Sequence, residues 1–155
     1  MEKLKALVRS SKQARKVVKC LENTGSTVHL KQMVGGAYSL YAADIVERKG
    51  GIHIFLADDR DAAAYLLNDL YELLDEERVC FFSSGYKRSA AYGAEDPQGV
   101  VQRTSTLNTI SSFRKGYLAG CTYPEALAEA VAERSRLEEQ SRRISVGDKV
   151  DQAEL

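Results

Sequence analysis

Gly35 and Gly36 stand between an apolar-leaning segment and a helical pattern in VHLKQMVGGAYSLYAADIV (28–46), which is the layout of a phosphate-binding loop. Such a loop works when backbone N–H groups cradle phosphate oxygens, a Lys reaches the terminal phosphates and a Ser or Thr hydroxyl holds magnesium. Here Ala37 and Tyr38 occupy the places of the Lys and the hydroxyl residue, and Ser39 has no cationic neighbour. The glycines remain and the gripping groups do not, so no catalytic nucleotide site is expected.

A second chemistry is suggested by FLADDRD (55–61), because a strand ending in an acidic pair is how receiver domains hold magnesium beside a phosphoacceptor Asp. That use needs a third Asp after a later strand. VCFF (79–82) is followed by Ser83-Ser84 and YLAGC (117–121) by Thr122, so the acceptor is missing and capping of the next helix by Asp58 or Asp59 accounts for the pair. His29 and His53 are the only histidines and lie on strand patterns, with no Asp-His-Ser order or nucleophile elbow around them. Cys20, Cys80 and Cys121 show no paired spacing, which suits reduced core thiols better than a zinc site or disulfides. Tyr86, Lys87, Arg88 and Tyr92, in the unpatterned stretch SSGYKRSAAYGAEDPQG, are candidates for an interaction loop that stacks on a base and holds phosphate. No metal or cofactor ligands are assigned.

The elements that would position these residues alternate. A chain of 155 residues with 44% hydrophobic content fits one core, and Lys plus Arg (22) balance Asp plus Glu (22). No apolar run is long enough to span a bilayer and none follows the first charges as a signal core, so a cytoplasmic protein without membrane contact is expected. Residues 1–25 read as a leading basic amphipathic helix, with Leu4, Leu7, Val8, Val17, Val18 and Leu21 at helical spacing and seven basic side chains before residue 21. Such a helix suits a membrane surface, nucleic acid or a partner groove, and more plainly the solvated face of a packed helix. A strand is expected at 28–33 and a helix at 37–48, with Tyr38, Tyr41, Ala42 and Ile45 on one face. IHIFLA (52–57) reads as a strand covered on both sides. A strongly striped helix carries Ala63, Leu66, Leu67, Leu70, Leu73 and Leu74, and VCFF is another buried strand. Pro97 opens a helix through Val100, Thr104, Leu107 and Ile110. YLAGC is a fourth strand, and Thr122 and Glu125 have capping-box spacing before a helix at 125–132. A charged run leads to ISV (144–146). This order predicts an α/β fold, mainly a parallel sheet with helices on both faces.

The pieces VGGAYSL, FLADDRDAAAYLLNDL, VCFFSSGYKRSAAYG, QRTSTLNTIS (with Arg103 and Leu107) and GYLAGCTYPEALAEAV resemble, in that order, the N-terminal module of the bacterial transcription-repair coupling factor (Mfd). That module is similar to domain 1 of the excision-repair protein UvrB. The resemblance covers residues 26 to 150 and implies a RecA/UvrB domain 1-like fold over 26–140 with a degenerate P-loop at Gly35, Gly36, Ala37, Tyr38 and Ser39. It implies that 141–155 begin a second domain of the UvrA-binding type. It also implies a non-catalytic piece of a DNA-translocating ATPase whose partners are UvrA, RNA polymerase and DNA, and that binds UvrA weakly or not at all by itself. The rival reading is a free-standing flavodoxin-like or receiver-like regulatory domain that binds a protein partner.

Overall fold

The computed structural model describes residues 2–86 and 96–131. Six helices and three strands follow one another as α1 (Glu2–Ser10), α2 (Lys12–Cys20), α3 (Ala37–Lys49), β1 (Gly51–Leu56), α4 (Arg60–Leu73), β2 (Val79–Phe81), α5 (Pro97–Ser112), β3 (Tyr117–Thr122) and α6 (Pro124–Ala128). The strands form a parallel sheet of order β1-β3-β2, so the last strand in sequence is central. The protein is therefore an α/β fold with a small parallel sheet.

α3 and α4 cover the face of the sheet that carries Phe55, Val79, Phe81, Ala119 and Cys121. α4 follows its stripe as expected: Ala63, Leu66, Leu67, Leu70 and Leu73 are buried, and Asp59 caps it by accepting from the Ala62 N–H at 2.8 Å. α5 packs on β2 from the other side, where Thr106 faces Cys80 and donates to the Phe81 carbonyl at 2.8 Å. The central strand is the most enclosed, with Leu118, Ala119, Cys121 and Thr122 all buried.

Several sequence expectations are corrected. The leading helix is two, because Ser11 leaves helical geometry and caps α2 by accepting from the Ala14 N–H at 3.0 Å. Val17 and Val18 are buried, whereas Leu4 and Leu7 stay exposed. Residues 28–33 form no strand: Gln32 adopts φ 60°, which breaks an extended run, and among the described residues no neighbouring strand takes the backbone groups. α3 buries Ser39, Ala42, Ala43, Asp44 and Val46, while Tyr38 faces solvent at 44% exposure. The buried face is rotated because α1 and α2 cover α3 from outside the sheet. β1 is an edge strand, and Ile52, Ile54 and Leu56 are exposed where burial on both sides was expected. On α5 the inward residues are Gly99, Arg103 and Thr106, and Val100 is exposed. The capping box at Thr122 is not formed, since the Thr122 hydroxyl donates to the Phe82 carbonyl at 3.0 Å and Tyr123 takes the N-cap position of a shorter α6. The expected strand 144–146, the start of a second domain at 141–155 and the end of the helix at 132 lie outside the described residues.

The basic residues of α1 do not all face water. Arg9 Nε donates to the buried Asp44 carboxylate at 2.9 Å, and Arg9 Nη2 and Lys5 Nζ each reach Glu47 at 2.5 Å. Lys5 also donates to the Leu73 carbonyl at 2.7 Å, tying α1 to the end of α4.

Candidate functional site

The Gly35-Gly36 turn opens α3 at the carboxyl end of β1, the end of a parallel sheet where ligands ordinarily enter. There a cleft of about 530 Å³ is bounded by Gly35, Tyr38 and Ser39 on one side, Leu56, Ala57 and Asp58 below, and Ala62, Tyr65, Leu66 and Asp69 of α4 opposite. Gly35 takes φ 56°, a conformation that suits glycine, and nothing lies within 4 Å of where a side chain on Gly35 or Gly36 would begin.

The groups aimed at the cleft decide what it accepts. Ser39, buried, donates its hydroxyl to Asp69 Oδ2, so the hydroxyl is already committed to a carboxylate. The Ala37 N–H donates to the Val34 carbonyl at 3.3 Å, which takes one of the amides at the start of α3. Among the described residues the walls contain two carboxylates, Asp58 and Asp69, and no Lys, Arg or His. An entering phosphate would meet negative charge with only the remaining amides of the helix start to offset it. Tyr38 and Tyr65 present phenol rings at the rim, and burial pushes the Tyr38 phenol up, which keeps it neutral. The chemistry of the cleft suits a cationic or aromatic group better than an anion.

The histidines do not join it. His53 Nε2 lies 2.8 Å from the Gly50 carbonyl, and His29 sits in the irregular segment before the turn. Among the described residues no group of three His, Cys, Asp or Glu side chains is placed to hold a metal ion. Cys80 and Cys121 are pushed up by burial, Cys121 to about 12, so both remain thiols at neutral pH.

Of the candidate interaction loop, Tyr86 is described and half-exposed, while Lys87, Arg88 and Tyr92 lie outside the described residues. The structure shows what holds the loop's two ends. Asp96 N–H donates to the Gly85 carbonyl at 2.8 Å, and Glu129 accepts from the Gly85 N–H at 2.9 Å and from the Ser84 hydroxyl. Behind them the buried Arg103 donates to the carbonyls of Ser83 (3.1 Å), Ala126 (2.8 Å) and Glu129 (3.0 Å), and stacks over Phe82 at 4.1 Å. Arg103 thus fastens the ends of β2 and α6 together.

Asp69 and Tyr65 were not anticipated as site residues. Their spacing of four on α4 was a readable sign that they share a face, but their closeness to Ser39 depends on how α3 lies on α4. No family model matches the chain, and no curated protein or solved structure was found to be similar to it.

Proposed function

We propose that this chain is the non-catalytic N-terminal module of a transcription-repair coupling factor, a cytoplasmic DNA-translocating ATPase that displaces stalled RNA polymerase and recruits UvrA for nucleotide excision repair. Its turn at Gly35-Gly36 is then the degenerate P-loop of a RecA/UvrB domain 1-like unit, and ATP is hydrolysed elsewhere in the longer protein. The observation that carries this reading is the cleft beside the turn, which has Asp58 and Asp69 in its walls, Ser39 engaged by Asp69 and, among the described residues, no cation. The absence of a strand before the turn is a further departure from a working phosphate loop. The order of the sequence motifs supplies the rest of the support.

Titration with a fluorescent ATP analogue and magnesium tests the loop. No saturable binding is expected, and micromolar affinity that disappears in Gly36→Asp would overturn the reading. The assignment to a coupling factor is tested by capture of UvrA. A chain extended through a complete second domain is expected to retain it and the 155-residue chain to retain little. Equal capture by both would show that the α/β unit itself carries the contact.

A further inference from the structure

α2 turns opposite faces to the protein and to water. Ala14, Val17 and Val18 are buried as it packs on α3, and Lys12, Arg15, Lys16 and Lys19 recur at i, i+3, i+4 and i+7 on the other side, all four exposed. α2 carries no carboxylate, and among the described residues none of the four cations has an ion-pair partner, whereas Lys5 and Arg9 of α1 are both paired. Like charges three and four residues apart weaken a helix, so the stripe works against the element that bears it. The buried valines hold α2 in place against that repulsion.

We propose that this stripe is a contact surface for the phosphate backbone of duplex DNA, gripping it without regard to sequence. From Lys12 to Lys19 it is about 10 Å long at about 1.5 Å per residue, and a duplex presents about one negative charge per 1.7 Å, or about six over that length. Four long, flexible cations on a convex helix face meet such a line of charge anywhere along it. Each neutralised phosphate releases a condensed counterion, and that release drives the contact.

Other anionic partners fit less well. A helix that lies in a membrane surface buries an apolar face among the lipids, and that face of α2 is already against α3. Single-stranded nucleic acid is held by aromatic side chains on which bases stack, and α2 carries none. With a formal net charge of zero the chain has no overall field toward DNA, so its affinity is expected to come from local patches such as this one. The proposal stands on α2 alone and holds whether or not the chain is part of a coupling factor.

Fluorescence anisotropy of the chain with a labelled duplex, from about 50 to about 200 mM salt, tests it. At about 0.9 per phosphate, the stripe contributes about 3–4 to the fall of log K with log salt, a loss of about a hundredfold across that range. Lys12→Gln/Arg15→Gln/Lys16→Gln/Lys19→Gln is expected to reduce the slope by that amount and to weaken binding at the lowest salt at least about tenfold. Each single substitution should reduce the slope by about 0.9, so the result does not depend on how the fourfold variant folds. Lys49→Gln/Arg60→Gln/Arg114→Gln/Lys115→Gln removes the same charge from exposed positions elsewhere and should leave the slope within about one of the native value. An equal loss in both fourfold variants, or no loss in the first, would overturn the proposal. Loss of binding to vesicles of phosphatidylserine and phosphatidylcholine in the first variant, with duplex binding unchanged, would overturn it in favour of a lipid surface.

Discussion

Arg103 shows how much one side chain can organise. Its guanidinium is buried, with donors spent on carbonyls at the ends of β2 and α6, Glu129 Oε2 at 3.7 Å and an aromatic face beneath it. Arg103→Met would fill similar space but leave those carbonyls without this donor and Glu129 without its ion pair, and is expected to cost about 3 kcal/mol in urea unfolding. Gly99→Ala should also destabilise, because a Cβ at that position would run into the Ser84 carbonyl. Cys121 contributes a pH dependence. Burial first, and the neighbouring Cys80 second, raise its thiol from an ordinary 9.0 to about 12. Above about pH 9 the unfolded chain releases a proton that the native thiol keeps, so stability is full below that pH and falls as pH rises toward 12, by up to about 1.4 kcal/mol per unit. Chemical denaturation at about pH 8 and about pH 10 should show the decline, and Cys121→Ala should show a shallower one.

At the scale of elements, α1 and α2 form a strap across the outside of α3. α1 buries no residue, so its attachment depends on Lys5 and Arg9. Arg9→Ala leaves Asp44 buried with, among the described residues, Arg48 alone as a cation at 3.4 Å, and the loss is expected to be about 1–2 kcal/mol because Arg9 itself is half-exposed. Limited proteolysis should then cut within residues 1–10 while the rest of the chain resists. α2 is held differently, by Val17 and Val18. Burying a valine contributes about 1.5–3 kcal/mol and burying a carboxylate in its place adds a penalty, so Val17→Asp should lower the melting temperature clearly. An unchanged melting curve accompanied by loss of liposome or DNA binding would instead make the strap a functional arm.

For the molecule as a whole, part of its positive charge is consumed inside it. Lys5, Arg9, Arg48 and Arg103 all pair with carboxylates, and the cleft at the carboxyl end of the sheet is acidic. With Lys plus Arg equal to Asp plus Glu, no overall field compensates for this. The isolated chain is therefore expected to bind duplex DNA only weakly at physiological salt, in the range of non-specific contacts at about 10⁻⁴–10⁻⁶ M. Fluorescence anisotropy with a labelled duplex measures it, and a dissociation constant well below that range would show a DNA surface that these residues do not explain. Among the described residues no helix is long and apolar enough to cross a membrane.

The sequence by itself determined what depends on neighbours along the chain. The stripe of α4, the cap at Asp59, the start of α5 at Pro97, the short strand of VCFF and the α/β order are all set within a few residues, where period and capping chemistry act. It also places Ala37 and Tyr38 where a phosphate loop carries its Lys and hydroxyl residue. Tertiary structure decided the rest because burial is a property of what lies opposite. IHIFL and YLAGC are similar apolar runs, yet β3 became the enclosed centre and β1 the exposed edge, since strand order follows from how the crossovers pack and leaves no mark in either run. VHLKQM stayed irregular, with Gln32 at φ 60° and no neighbouring strand among the described residues to take its backbone groups. Asp44, Ser39 and Arg103 are polar residues whose burial no local pattern marks; each is buried because a partner distant in sequence, Arg9, Asp69 or the carbonyls at the end of α6, supplies the hydrogen bonds that make burial affordable.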